Sequence, residues 1–183
     1  MRKRLSILCL LALCLSAGSA GWAQTKDFSA FLKTVSGKTV EMRMKVTASD
    51  PQSGQSVSGY STLKYRDGMY SVSGDGVDLR CDGKTQWTLM KASKEAVIDN
   101  APNLDMSKPE NLLEACGISA RKADISVKYD EKGLVREAAA KLNDGSSIVI
   151  KTVSVSLSEK FDQKAFRFDT SKLGSAWVVT DLR

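Results

Sequence analysis

The chain has 183 residues, of which 42% are hydrophobic. It contains 27 Lys and Arg residues and 21 Asp and Glu residues. This length suits one domain with a core of its own. Because the chain contains no histidine, Ser-His-Asp and Cys-His nucleophile activation and histidine metal ligation are excluded. The basic residues are scattered rather than clustered, so solvated faces explain them better than a nucleic-acid or anionic-membrane partner does. We expect no nucleic-acid partner, and nothing indicates a metal or cofactor.

The first 23 residues have the three-part pattern of a secretory signal peptide. Residues 2–4 are basic, residues 5–15 are apolar, and small residues are frequent over 18–23. We therefore expect cleavage after residue 23 and one domain over residues 24–183, outside the cytoplasm. No later segment approaches the ~18 apolar residues of a membrane span. Lipidation of Cys14 is the less favoured alternative, because Leu13 before it is not a small residue.

The pattern then predicts one short helix followed by an antiparallel meander. Residues 26–36 place apolar side chains at helical spacing. From Val40 to Val46 apolar residues alternate with charged ones, which is typical of a strand. Further strand-like runs follow, separated by turns such as Asp67-Gly68 and Asp82-Gly83, at about 58–65, 69–73, 77–81, 84–90 and 95–99.

A second short helix is predicted over residues 108–116. Ser107 is a suitable N-cap, Pro109 lies in the first turn, and Gly117 can end the helix. Strands resume afterwards, at about 125–129, 134–142, 146–161, 165–168 and 176–179. The expected fold is therefore mainly β, with ten or eleven strands and two short helices.

Alternation gives the predicted sheet one apolar face. We place on it Met42, Met44, Leu63, Tyr65, Val72, Leu79, Trp87 and Leu89. One interpretation is an ordinary barrel or sandwich core. The other is a curved sheet that holds an apolar ligand, for which flexible methionines are suited. Alternation does not separate the two.

Catalytic and redox signals are weak. The acidic residues that could form a carboxylate pair mostly occupy turn positions, where Asp is favoured for backbone reasons; they are Asp67, Asp75, Asp78, Asp82, Glu95 and Asp99. We expect no enzyme, although a carboxylate-based hydrolase remains an alternative. Cys81 and Cys116 could form a disulfide in an oxidising compartment, or remain separate thiols.

Residues 81–99, CDGKTQWTLMKASKEAVID, resemble the hallmark of the outer-membrane lipoprotein carrier family (LolA-like). The Asp-Gly-Lys-Thr-x-Trp run at 82–87 matches that pattern, and Glu95 falls where an acidic residue recurs. In order along the chain, residues 59–70, 132–134 and 161–170 are similar to further family segments. The resemblance covers nearly all of the expected mature chain.

The resemblance implies an open, half-closed antiparallel β-barrel whose short helices cover a concave apolar face. It implies a monomeric periplasmic carrier that takes acylated lipoproteins from an inner-membrane ABC-type lipoprotein release complex to an outer-membrane acceptor. The expected acyl-chain contacts are the eight sheet residues above together with Leu112, Leu113 and Ile118. The alternative is a periplasmic lipid-binding or lipid-sensing module of the same fold that takes no part in lipoprotein sorting.

The resemblance also assigns a role to Arg66. The family uses an arginine before the aromatic strand to pin its lid helices in the closed state, and Arg66 is the residue that matches it. The family pattern continues with proline, whereas Asp67 follows here. A solvent-exposed turn arginine is the other interpretation.

Overall fold

Strands form most of the structure, a computed structural model that describes residues 30, 33–74, 76–101 and 123–183. Residue 30 and residues 33–35 are helical, as predicted for that part of the first helix. Ten strands follow: β1 (Thr39–Asp50), β2 (Gln55–Arg66), β3 (Met69–Gly74), β4 (Val77–Cys81), β5 (Thr85–Met90), β6 (Glu95–Asn100), β7 (Ala123–Tyr129), β8 (Val135–Leu142), β9 (Ser147–Ser158) and β10 (Val178–Asp181).

All ten strands belong to one sheet, in the order β10-β6-β5-β4-β3-β2-β1-β9-β8-β7. Over the described ranges every pairing is antiparallel except that of β10 with β6. The sheet does not close on itself. The predicted mainly β fold with an open antiparallel sheet is therefore confirmed.

The strands end where the sequence supplies residues for tight turns. Gly68 and Gly83 follow aspartates in the β2–β3 and β4–β5 turns, and their φ angles are +84° and +87°. Glycine adopts this left-handed region without the steric cost that a Cβ brings. The Asp82 carboxylate also accepts hydrogen bonds from the amides of Lys84 and Thr85, at 3.0 and 2.9 Å. These turns fix the hairpins that build the meander.

The predicted strand over residues 165–168 is wrong. Residues Gln163–Phe166 form a 3-10 helix, and Thr170–Lys172 form a second one. Each begins after an aspartate, Asp162 or Asp169, whose side chain accepts a hydrogen bond from the amide two residues further on. Such aspartate turns compete with an extended backbone, so the alternating sequence here does not form a strand.

Two clusters of buried apolar side chains lie on opposite sides of the sheet. We call the side to which Val40, Met42, Met44 and Val46 of β1 point the Met44 face. The opposite side, to which Trp87 and Leu89 of β5 point, is the Trp87 face. The larger cluster extends over β1–β4, β8 and β9 on the Met44 face, and the smaller one is built on β5 and β6.

Several sequence predictions lie outside the described residues. These are the signal peptide, the helix over 108–116, and the positions of Leu112, Leu113, Cys116 and Ile118. Within the described ranges, no helix is long and apolar enough to cross a bilayer.

Candidate functional site

A row of apolar side chains crosses four strands on the Met44 face. Met42 of β1 lies opposite Leu63 of β2, Leu63 opposite Val72 of β3, and Val72 opposite Leu79 of β4. On the other side Met42 lies opposite Val155 of β9. The first four are only 2–4% exposed. Because directly paired residues share a face, this row is a continuous apolar strip.

The neighbouring rows extend this strip along the strands. Met44, in the row next to Met42, is fully buried, and Tyr65, opposite Val40, is 7% exposed. The Tyr65 hydroxyl accepts a hydrogen bond from the Gly68 amide at 3.3 Å. Burial raises the pKa of the Tyr65 hydroxyl, although the Gly68 amide partly offsets this. Six of the eight predicted sheet residues therefore share one face.

Sequence reasoning missed the part of this face formed by β8 and β9. Ile150 lies opposite both Val46 and Ala138, and Ile148 lies opposite both Ala48 and Ala140. The alternation in SSIVIK was the available signal. With β8 and β9 included, the cluster extends across six strands, about 24 Å at the usual strand spacing.

Trp87 and Leu89 do not belong to the Met44 face, so their predicted placement is wrong. Cys81 pairs with Gln86 across the Asp82-Gly83 turn, which sets Leu79 opposite Thr88 and Arg80 opposite Trp87. In a strand successive side chains point to opposite faces, and a shift of one residue exchanges them. Trp87 and Leu89 therefore lie on the side opposite to Leu79.

The protein's own C-terminal segment (residues 159–177) covers Trp87. Trp87 and Leu89 pack with Ala96 and Ile98 of β6, and Phe168, Leu173 and Trp177 pack against this cluster. Trp87 is 9% exposed as a result. Strands β1–β4 thus bury apolar side chains on the Met44 face. Strands β5 and β6 bury theirs on the opposite face, under the C-terminal segment.

Arg80 attaches the C-terminal segment to the Trp87 face. Its guanidinium forms a two-point ion pair with Asp78, with N–O distances of 3.1 and 3.0 Å. It also donates to the carbonyl oxygen of Arg167 at 3.0 Å and lies 5.2 Å from the centre of the Phe168 ring. One charged group therefore neutralises a strand carboxylate and binds the backbone and an aromatic ring of the segment.

Arg66 makes a similar contact nearer the start of the segment. It alternates with Tyr65 on β2 and points to the Trp87 face, where its guanidinium lies 4.9 Å from the Phe161 ring centre. It donates to the Glu159 carbonyl oxygen at 3.0 Å. These contacts place Arg66 against the C-terminal segment. Its predicted lid-pinning role stays a prediction, because the helix over 108–116 lies outside the described residues.

Asp82 links the Asp82-Gly83 turn to the same segment. The Asp82 carboxylate lies 2.8 Å from Nε of Arg167, and its side chain is 6% exposed. Burial alone raises the pKa of this carboxyl, but the amides of Thr85 and Lys84 and the Arg167 guanidinium together hold its pKa below the ordinary value. Asp82 therefore stays charged in the folded protein at neutral pH.

Cys81 is a buried free thiol. Of the two alternatives left open for Cys81, the structure shows the free thiol, and Cys116 lies outside the described residues. Burial raises the pKa of the Cys81 thiol, partly offset by the Gly83 amide. Among the residues that the structure describes, no group of three or more acidic or cysteine side chains is arranged to hold a metal ion.

Comparisons with known proteins give fold likenesses only. No protein-family model and no curated protein matches the chain. A DUF1329 family protein from Desulfovibrio piger is 9% identical, with a TM-score of 0.47 over 81% of this chain and 98% of that one. A putative outer membrane lipoprotein-sorting protein domain from Vibrio parahaemolyticus is 10% identical, with a TM-score of 0.43 over 78% and 96%. An uncharacterized conserved protein from Thermus thermophilus is 10% identical, with a TM-score of 0.48 over 87% and 99%. Likenesses at this level assign no function.

Proposed function

We propose that the protein is a non-enzymatic lipoprotein carrier that shields acyl chains on the Met44 face. The observation that supports this most is the continuous apolar row Met42–Leu63–Val72–Leu79 on an open sheet. The ordered resemblance of residues 59–170 to the carrier family supports it independently. The contacts proposed within the described residues are Met42, Met44, Leu63, Tyr65, Val72 and Leu79.

The energetics of acyl chains explain why such a face is needed. Each CH₂ group that leaves water gains about 0.8 kcal/mol, so lipoprotein acyl chains cannot cross an aqueous compartment unaccompanied. The Met44 face is buried before any ligand binds. Loading therefore exchanges apolar protein contacts for acyl contacts, and this exchange keeps binding weak enough for release.

The proposed route and partners follow from the family resemblance. The carrier works as a monomer in the periplasm, receives acylated lipoproteins from an inner-membrane ABC-type release complex, and gives them to an outer-membrane acceptor. Two carboxylates beside the Trp87 cluster are paired with arginines: Asp78 with Arg80 and Asp82 with Arg167. Carboxylates paired with arginine in this way suit a structural role, as expected of a non-enzymatic protein.

The test is to purify the protein from the periplasm and identify what is bound, and to ask whether it releases lipoproteins from spheroplasts. A soluble one-to-one complex with acylated lipoprotein supports the proposal. Bound phospholipid without lipoprotein release contradicts it and favours the lipid-binding module. The variants Met44→Gln and Met69→Gln make a matched pair, because Met44 is in the apolar face whereas Met69 lies opposite Arg66 on the other side. Only the first should lose cargo.

A further inference from the structure

A band of basic side chains lies on the part of the Trp87 face that β7, β8, β9, β1 and β2 form. One row across these strands contains Lys128, Glu137, Lys151, Lys45 and Tyr60, each directly opposite the next. Arg43 is on the same side of β1, two residues from Lys45. We call Arg43, Lys45, Lys128 and Lys151 the basic band.

The charges of the basic band are not balanced. Glu137 is the one carboxylate in the row, and it is shared by Lys128 at 2.9 Å and Lys151 at 3.6 Å. Two rows away on either side the charges are balanced: Lys64 pairs with Glu41 at 3.2 Å, and Asp124 lies opposite Lys141. No carboxylate of the described residues pairs with Arg43 or Lys45. Four positive charges thus face one negative charge.

One pairing within the basic band is unfavourable to the fold. Lys45 and Lys151 are directly opposite each other, and like charges at such positions destabilise a sheet. All four basic side chains are exposed, and Lys128 and Lys151 are 72% and 65% exposed. Arg43 lies 5.1 Å from the ring centre of Tyr60, which is itself 52% exposed. Exposed, unbalanced positive charge beside an exposed aromatic ring is a surface that attracts anionic partners.

We propose that the basic band docks the protein on the surface of an anionic lipid bilayer. The row from Lys128 to Tyr60 crosses five strands, or about 19 Å. A small anion needs donors that converge, whereas this array is wide and suits an extended layer of negatively charged headgroups. Long lysine side chains contribute about 1 kcal/mol each near such a surface. The exposed Tyr60 ring suits the headgroup region, where tyrosine is enriched.

Docking through the basic band is independent of acyl binding on the Met44 face, because the two lie on opposite sides of the sheet. A docked protein keeps the Met44 face directed away from the lipid surface. The inference therefore stands whether or not the proposed carrier function is correct.

The test is co-sedimentation of the purified protein with vesicles of phosphatidylcholine, with and without phosphatidylglycerol. The variant Arg43→Gln/Lys45→Gln removes two charges without breaking an ion pair, and its binding to the anionic vesicles should fall about thirtyfold. The control Lys84→Gln/Lys91→Gln removes the same net charge from exposed turn residues at the two ends of β5. It should bind nearly as well as the unmodified protein. Binding should also weaken steeply with salt.

Thermal unfolding of each variant shows whether a loss of vesicle binding comes from a folding defect. Lys45→Gln alone removes the repulsion with Lys151, so its melting temperature should be unchanged or raised while its vesicle binding falls. Equal loss of binding in the two double variants overturns the inference, because net charge alone then explains it. Equal binding to neutral and anionic vesicles, or no binding by the unmodified protein, also overturns it.

Discussion

Trp87 lies directly opposite Arg80 on the neighbouring strand, and both side chains meet the C-terminal segment. Arg80 binds the backbone of that segment at Arg167 and its ring at Phe168, and Trp87 packs under Phe168, Leu173 and Trp177. A tryptophan within the motif of the family resemblance therefore contributes to folding the C-terminal segment onto the sheet. The face that we propose for acyl chains is the other one.

Replacing Trp87 should destabilise the protein. Trp87→Ala removes a large side chain from a cluster in which it is 9% exposed, and such changes cost about 3–5 kcal/mol. Urea unfolding measures the loss. Val153→Ala, at a position that is 55% exposed, should stay within about 0.5 kcal/mol of the unmodified protein. Equal stability of the Trp87 variant would show that the C-terminal segment does not cover it.

Removing the Arg80 guanidinium should loosen the C-terminal segment. Arg80→Met leaves the Asp78 carboxylate, whose side chain is 15% exposed, without its cation, at a cost of about 1–3 kcal/mol. Hydrogen exchange should become faster over residues 163–177. The double variant Asp78→Asn/Arg80→Met should recover part of the stability, because it leaves no unpaired charge. A double variant no more stable than Arg80→Met would contradict this explanation.

Acid should remove the contribution of Asp82 to stability. The folded-state pKa of this carboxyl is below its ordinary value of 3.8. Stability from Asp82 is therefore present above that pH and is lost as the pH falls through the folded pKa. Asp82→Asn should be less stable than the unmodified protein at neutral pH, and the difference should close in acid. The ion pair itself adds at most about 1 kcal/mol, because Arg167 is 58% exposed. A pH-independent difference in urea unfolding would be the contrary result.

A methyl group at Gly83 should disturb the β4–β5 turn. Gly83 has a φ of +87°, and an added Cβ would lie 4.0 Å from Cγ of Met69. Space is therefore sufficient, and the cost is conformational, about 1–2 kcal/mol for Gly83→Ala. Gly174, which has no positive φ and no neighbour within 4 Å of an added Cβ, provides the control Gly174→Ala. Thermal unfolding should separate the two, and an equal effect would contradict the turn geometry.

The positions of the strands could be predicted from the sequence, but the side of the sheet to which Trp87 points could not. Alternation and Asp-Gly turns located β2–β6 within a few residues. Which residues share a face depends on how many residues each turn contains, and the pairing of Cys81 with Gln86 fixes this for β5. Placing Trp87 with Leu79 was an error of one residue in that register. The six positions from Met42 to Leu79 were placed together correctly because their hairpins keep the expected register.

The C-terminal segment was harder to predict for a different reason. Its alternating Phe166, Arg167 and Phe168 look like a strand, but the aspartates at 162 and 169 begin 3-10 turns instead. Its partners Arg66 and Arg80 lie about 90 residues earlier in the chain. Local patterns do not contain such long-range pairings, so the role of both arginines became visible only in the fold.

The central claim is that acyl chains bind on the Met44 face, and methionine methyl NMR tests it most directly. A triacylated lipopeptide added to methyl-labelled protein should shift the Met42 and Met44 resonances and give cross-peaks to the acyl chains. Met69, which lies opposite Arg66 on the other side of the sheet, is the internal control and should not shift. Acyl cross-peaks to Met69, or bound lipopeptide that leaves Met42 and Met44 unchanged, would contradict the account.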